Sequence, residues 1–330
     1  MFPQYNALLW ILSIFILFIW LVGEVLHNPV KDVTDVRSAR ILPPFPFYVG
    51  DKYYWSLSNY TWGDFDETTV FKMGWFVNWN GDTFLSNMPI LGTHQSLTYS
   101  INSVVGLFAK TQRLTLDQQL KVGVRFFDLR FKVGDDEKLY AFHDVLPLNI
   151  SWDFVWRTFL DFLDANDRES ILITIRDESY KNHAAVVRTA INQIPEELRM
   201  LRFIYNSKFK LLTKTPLNEL RRKVILVNYD GSSTIPWSDN TNFKYGDIFI
   251  SDHYSFDRSA DPLKEKIEFV REVYGTLSNK SFNIVFNTLE NKSFAHSVRW
   301  NGTNLRREFL AWRKQTKQPI KGCVVMYDWL

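Results

Sequence analysis

The sequence predicts an α/β fold, a TIM-type (β/α)8 barrel with irregularity allowed for, behind an N-terminal transmembrane or signal-anchor segment. Three observations predict it. Eight short runs rich in apolar, β-branched and aromatic residues recur from about residue 86 onward. Amphipathic helical text separates several of them, and polar residues gather where the runs end. Strands that stay apolar along their length belong to a sheet covered on both faces, and eight of them favour closure into a barrel. The 330 residues accommodate one such barrel of about 250 residues and a lead-in.

The N-terminus comes first. Residues 7–22 read ALLWILSIFILFIWLV without a charge, and with their flanks approach the ~20 residues that span a bilayer. No small-x-small cleavage pattern follows cleanly, so residues 1–27 read as a signal anchor ahead of a cleaved signal peptide. Lys31, Arg37 and Arg40 follow the segment and no basic residue precedes it, which leaves the orientation open. Five N-x-S/T sequons, at Asn59, Asn149, Asn279, Asn291 and Asn301, point to a glycoprotein whose main domain is lumenal, extracellular or secreted. Residues 28–85 carry Pro43, Pro44 and Pro46 and then Tyr53-Tyr54-Trp55-Ser56-Leu57, a linker and a small strand-rich lead-in. Residues 86–330 form the barrel.

The eight predicted strands lie at 89–91, 124–130, 139–142, 171–175, 224–227, 247–250, 283–286 and 323–326. Predicted helices run from Trp152 to Leu163, Ala184 to Ile194, Leu263 to Tyr274 and Leu305 to Lys314. After the first strand, Val104, Val105, Leu107 and Phe108 read either as a core-facing helix or as one facing a membrane. The lone cysteine, Cys323, sits in an apolar strand and reads as buried and structural. The net charge of +3 carries no basic block, which argues against a nucleic-acid partner.

The strand ends carry the chemistry. The first ends in His94-Gln95, the second in Asp128-Leu129-Arg130, the third in His143 and the fourth in Arg176. The sixth ends in Asp252-His253-Tyr254 and the last in Asp328. In an α/β barrel these ends share one face, where active sites sit. Two imidazoles supply a base and an acid near neutral pH, a carboxylate fixes the tautomer of the base, and guanidinium groups hold phosphate. Together they describe cleavage of a phosphodiester. No G-x-S-x-G elbow supports a serine hydrolase. No H-E-x-x-H or Cys/His spacing supports a zinc site, and no cofactor or metal is implied. His27, His183 and His296 fall outside the pattern, and His253, at a strand end but out of register with Asp252 and Tyr254, reads as structural.

Gly92-Thr93-His94-Gln95-Ser96, the stretch from Gly123 to Arg130, and Ala141-Phe142-His143 together resemble the X region of phosphatidylinositol-specific phospholipase C. The likeness is nearest to the bacterial single-domain type and runs from about residue 75 to the end. It implies His94 as the base that deprotonates the inositol 2-hydroxyl, His143 as the acid for the diacylglycerol oxygen and Asp328 as the support of the base. Arg130 stands where metal-dependent relatives bind calcium through a carboxylate, which implies a metal-independent site. Asp128 joins the catalytic set from the same strand end. Arg176, Asp252 and Tyr254 are implied in substrate binding, with an inositol phospholipid in a membrane, or a glycosyl anchor, as the partner. Gln95 replaces an Asp that assists the acid in bacterial members, and Asn228-Tyr229 stands where an inositol-binding Arg is expected after the fifth strand. Two alternatives stay open. One is an attenuated, membrane-tethered lipid- or glycan-binding member. The other is a glycerophosphodiester phosphodiesterase, which would need an acidic metal cluster.

Overall fold

A computed structural model describes residues 76–101, 109–237, 240–256, 259–290, 298–316 and 322–329. The apolar segment at 7–22, the prolines and aromatic text of the linker, the sequons at Asn59 and Asn291, His27, His296, and the stretch holding Val104 to Phe108 lie outside these residues. Among the described residues no helix is long and apolar enough to cross a membrane.

Eleven strands form one curled sheet: β1 (Pro89–Thr93), β2 (Phe126–Val133), β3 (Leu139–His143), β4 (Leu146–Ser151), β5 (Ile171–Asp177), β6 (Phe203–Tyr205), β7 (Val224–Leu226), β8 (Thr241–Tyr245), β9 (Ile248–Asp252), β10 (Phe282–Asn287) and β11 (Cys323–Tyr327). The order is β6-β7-β5-β2-β1-β11-β10-β9-β8. Every neighbouring pair in that order is parallel except β8 with β9. The four predicted helices are found as Trp152–Ala165, His183–Asn192, Pro262–Thr276 and Val298–Thr316.

Alternation along the strands sorts the core. Ile90, Phe126, Leu172, Ile225, Ile250, Ile284, Phe286, Val324 and Met326 belong to one buried cluster, the concave interior. Their neighbours Leu91, Phe127, Ile173, Val224, Val285 and Val325 face outward and pack with Trp152, Val155, Phe159, Val187 and Val270 of the helices. The interior is crowded enough that a Cβ on Gly92 would lie 2.4 Å from Sδ of Met326. Phe76, Trp79, Leu85 and Met88 join the inner cluster from below. There Glu169 accepts from the backbone N–H of Phe76 (2.9 Å) and Val77 (2.7 Å) and from Nε of the wholly buried Arg125 (2.7 Å). Glu169 and Arg125 stand just before β5 and β2, so this network fastens the chain to the strand-N-terminal end, away from the predicted site.

Three expectations are corrected. The run at 139–142 is a strand, but β3 pairs antiparallel with β2 and β4 instead of taking a barrel position. The five residues between β2 and β3 make a hairpin, whereas a parallel return needs a dozen or more. The parallel position goes to β6, beside β7. Among the described residues no ladder joins β6 or β7 to β8 or β9, so the sheet curls without closing in hydrogen bonds. Of the lead-in only residues 76–85 are described, and they hold the 3-10 turn Phe76–Asn78 and the start of a second, Leu85–Asn87. Asn301 is buried at 1% exposure, which denies its sequon to an oligosaccharide, while Asn149 and Asn279 are exposed.

Candidate active site

The alternation that buries Ile90, Phe126, Leu172, Ile250 and Met326 inward also aims the residues beyond them. His94, Asp128, Arg130, Arg176, Asp252 and Asp328 all lie an even number of residues past an inward-facing position. Gly92 is level with Phe126 and Met326, so His94 falls between Asp128 and Asp328.

Geometry follows register. Nδ1 of His94 lies 2.9 Å from Oδ1 of Asp328, and Nη2 of Arg130 lies 3.1 Å from Nε2 of the same ring. A guanidinium only donates, so Nε2 is the acceptor and the ring proton sits on Nδ1, given to Asp328. The backbone of His94 is held as well. Its carbonyl accepts from Gln112 Nε2 (2.9 Å) and Thr111 Oγ1 (3.0 Å), and the same Gln112 amide donates to the Tyr327 carbonyl at 2.8 Å. The Phe286 ring meets the His94 ring edge-on at 5.8 Å.

Asp128 is a buried hub. Oδ2 accepts from the Gln95 backbone N–H and from Arg130 Nε, both at 3.1 Å. Burial pushes its carboxyl up, but Arg130, His94 and Arg176 outweigh burial and hold it below the usual carboxylate range. Burial likewise works against the Arg130 cation, and Asp128 and then Glu178 more than restore it. Glu178 lies 3.6 Å from Nη1 of Arg130 and accepts from the backbone N–H of Asp144 at 2.7 Å. It thereby links Arg130 to the turn that presents His143.

His143 arrives by the hairpin. With Ala141 opposite Phe131, the return strand brings His143 level with Leu129, beside Arg130. The following Asp144 has φ 52°. Burial, then the charges of Arg130 and His94, push the His143 imidazole down to about 4. Its Nδ1 and the Oε1 of Gln95 are both buried without a hydrogen-bond partner among the described residues.

A second group of side chains flanks the base. Arg176, opposite Arg130 in the β2–β5 ladder, lies over the Trp237 ring at 5.0 Å and 4.0 Å from Oδ2 of Asp252. Trp237 Nε1 donates to the same oxygen at 2.8 Å. Burial raises the Asp252 carboxyl despite Arg176 and Trp237. Tyr254 lies two residues past Asp252, half-buried, its backbone N–H donated to Asn240. Asn228 does not project into this group. Its amide pairs with the Ile175 N–H and C=O (3.2 and 2.9 Å) and extends the β5–β7 contact.

The structure therefore brings together His94, Asp128, Arg130, His143, Arg176, Asp252 and Asp328, with Gln95 alongside. It leaves His253 outside, against Phe256 and Phe269, and His183 as an acceptor for the Asp177 N–H at 2.8 Å. Sequence reasoning missed Gln112, Glu178 and Trp237. Glu178 had a signal, as the next residue but one after Arg176 at a polar strand end. Among the described residues no group of three or more His, Cys, Asp or Glu could hold a metal ion.

The same residues carry a family match. Residues 88–229 fit the sequence model of the phosphatidylinositol-specific phospholipase C, X domain. A 1-phosphatidylinositol phosphodiesterase of Listeria monocytogenes is 29% identical over 198 residues, 57% of this chain and 57% of that protein. The chain thus spans little more than half the length of that relative. A protein of the same name from Staphylococcus aureus is 26% identical over 246 residues, 65% of this chain and 74% of that one. Among solved structures, a phosphatidylinositol-specific phospholipase C of S. aureus superposes with a TM-score of 0.66 at 20% identity, covering 79% of this chain and 92% of that one. The enzyme from L. monocytogenes gives 0.62 at 21%, covering 78% and 94%. At these identities the structures speak for the fold and the sequence match for the family. Residues 88–229 of the chain thus match the phosphatidylinositol-specific phospholipase C X domain, and the fold agrees with that match.

Proposed function

We propose that this chain is a metal-independent phosphodiesterase that cleaves an inositol phospholipid, or the same linkage in a glycosyl-phosphatidylinositol. One observation carries the reading: His94 donates from Nδ1 to Asp328 and presents Nε2 as an acceptor to Arg130. That is a general base in its working tautomer beside a phosphate-binding cation.

The roles follow from chemistry. The phosphodiester anion engages Arg130, which frees Nε2 of His94 for the inositol 2-hydroxyl. His94 takes the hydroxyl proton as the oxygen bonds to phosphorus. The bond from phosphorus to the diacylglycerol oxygen breaks, and His143 protonates that oxygen. The products are diacylglycerol and a cyclic inositol phosphate, which water opens with the two imidazoles in exchanged roles. Asp328 stabilises the His94 cation. Asp128 fixes the Arg130 fork, and Gln95 tethers its backbone to Asp128. Arg176, Asp252 and Tyr254 bind the inositol ring, with Trp237 as its wall. Arg130 supplies beside the base the positive charge a metal would bring. An acidic glycerophosphodiesterase metal centre has no counterpart among these residues.

We assign residues 86–330 to the catalytic barrel, 28–85 to the linker and lead-in, and 1–27 to a signal anchor or signal peptide. The support is the uncharged apolar run at 7–22 and the exposure of Asn149 and Asn279. The barrel is then secreted or held on the outer or lumenal face of a membrane.

One feature favours a slow enzyme: Nδ1 of His143 has no hydrogen-bond partner among the described residues, and Gln95 stands where the resemblance expects the assisting Asp. The test is turnover of phosphatidylinositol vesicles in EDTA by His94→Ala and His143→Ala. Each loses more than about 99% of the rate, since base and acid act as a unit. Retention of about a tenth or more by either folded variant would overturn the assignment.

A further inference from the structure

Beneath the ring-binding side of the site lies a cation that the reaction scheme does not use. Lys266, on the helix Pro262–Thr276, is 0% exposed. Its helix buries Val270, Val273 and Tyr274 on the same stripe, so a lysine here occupies an apolar position. The ammonium has specific partners. Nζ donates to the backbone carbonyl of Phe286 at 2.6 Å and to that of His253. Phe286 lies near the end of β10 beside the His94 ring, and His253 directly follows Asp252.

A buried ammonium needs counter-charge. Burial pushes Lys266 down to about 7, and the opposing pull comes from Asp252 first and then Asp328. His253 also feels this cation, which helps to lower its imidazole. The two carboxylates belong to opposite sides of the site, one placed to meet the substrate ring and the other to hold the base. Asp252, only 3% exposed, has Arg176 at 4.0 Å and the neutral Trp237 among its side-chain partners.

We infer that Lys266 is a positioning residue for substrate: its ammonium, bonded to the carbonyls of His253 and Phe286, clamps the ends of β9 and β10 together and so holds in place the Asp252 carboxylate that receives the ring hydroxyls. This rests on the proposed role of Asp252 in ring binding. The clamp acts on the ring-binding end and only indirectly on the base, whose own partners are Asp328 and Arg130.

Two measurements test it. The first is steady-state kinetics of Lys266→Met on a soluble inositol phosphodiester with a good leaving group. KM rises about tenfold or more while kcat changes less than about threefold, and the double variant with Asp252→Asn is little worse than Asp252→Asn alone. An unchanged KM, a loss confined to kcat, or full additivity with Asp252→Asn would overturn the inference. The second uses the native lysine, so it stands even where Lys266→Met fails to fold. The Lys266 pKa, followed by NMR of its side-chain 13Cε, falls by about one unit or more in Asp252→Asn, because the stabilising charge is gone. An unshifted value would refute the coupling. A wild-type protein that turns over no inositol phosphodiester would refute the function, while the NMR result would still decide the Lys266–Asp252 coupling.

Discussion

Asp328 accepts from Nδ1 of His94 at 2.9 Å, from the strand next to the one that carries the histidine. The parallel register makes this contact nearly unavoidable, and Arg130 on the opposite ring nitrogen fixes which tautomer it selects.

Asp328→Asn disrupts that selection. An amide can donate to Nδ1 and drive the ring proton onto Nε2, where Arg130 also donates. kcat therefore falls by about 10²–10⁴-fold with KM nearly unchanged, as for the orienting carboxylate of a triad. Steady-state kinetics on phosphatidylinositol in detergent micelles check this. A loss under about tenfold would show that Asp328 does not set the tautomer.

Glu169→Ala tests the opposite end of the barrel. Removing one partner of the Arg125–Glu169 pair leaves a guanidinium buried with its counter-charge gone, at a cost of about 3–5 kcal/mol. Urea unfolding at neutral pH should report that loss. The folded fraction keeps its kcat, because Glu169 also ties down Phe76 and Val77 at the end away from His94.

The two pH dependences of His143 have opposite uses. Its folded imidazole lies near 4, below the ordinary value of 6.5, so the native state prefers the neutral form. The sign is set by linkage. The stabilisation is present above about 6.5 and is lost as pH falls towards about 4. Thermal melts of His143→Gln should lose less stability than wild type across that window. In turnover the acid must carry its proton, and a bound phosphodiester anion offsets the Arg130 charge that lowers it. The alkaline limb of kcat/KM, which reports the free enzyme, therefore lies below the limb of kcat. Coincident limbs would mean that substrate does not retune His143.

Gln95→Asp should raise kcat on a natural lipid and shift the alkaline limb upward, since a carboxylate favours the protonated imidazole and an amide supplies only a hydrogen bond. A substrate with a good leaving group gains less. If Asp144→Asn shifts the limb instead, the carboxylate adjoining His143 is the one that tunes it.

Much of the fold and site was legible in the sequence, for a physical reason. The alternation that fills the interior with Ile90, Phe126 and Met326 also sends His94, Asp128 and Asp328 into the mouth, and a one-dimensional pattern of period two reveals it. The hairpin was less legible because β3 has a barrel strand's composition, although its short connection to β2 held the answer. β6 is three residues long, too short for periodicity to mark. β4 carries Pro147 and exposed positions that read as loop. Trp237 lies on no regular element, and its bond to Asp252 spans a tertiary contact that no local pattern encodes. Lys266 had a faint signal: a lysine in register with Val270 and Val273 on an otherwise apolar stripe.

The most direct measurement is a phosphorus NMR time course on phosphatidylinositol vesicles with the full chain in EDTA. A metal-free two-histidine site with the 2-hydroxyl as nucleophile predicts undiminished turnover, with the cyclic inositol phosphate resonance first and the acyclic monoester only later. Acyclic monoester alone from the earliest points, or no turnover until calcium is restored, would contradict it.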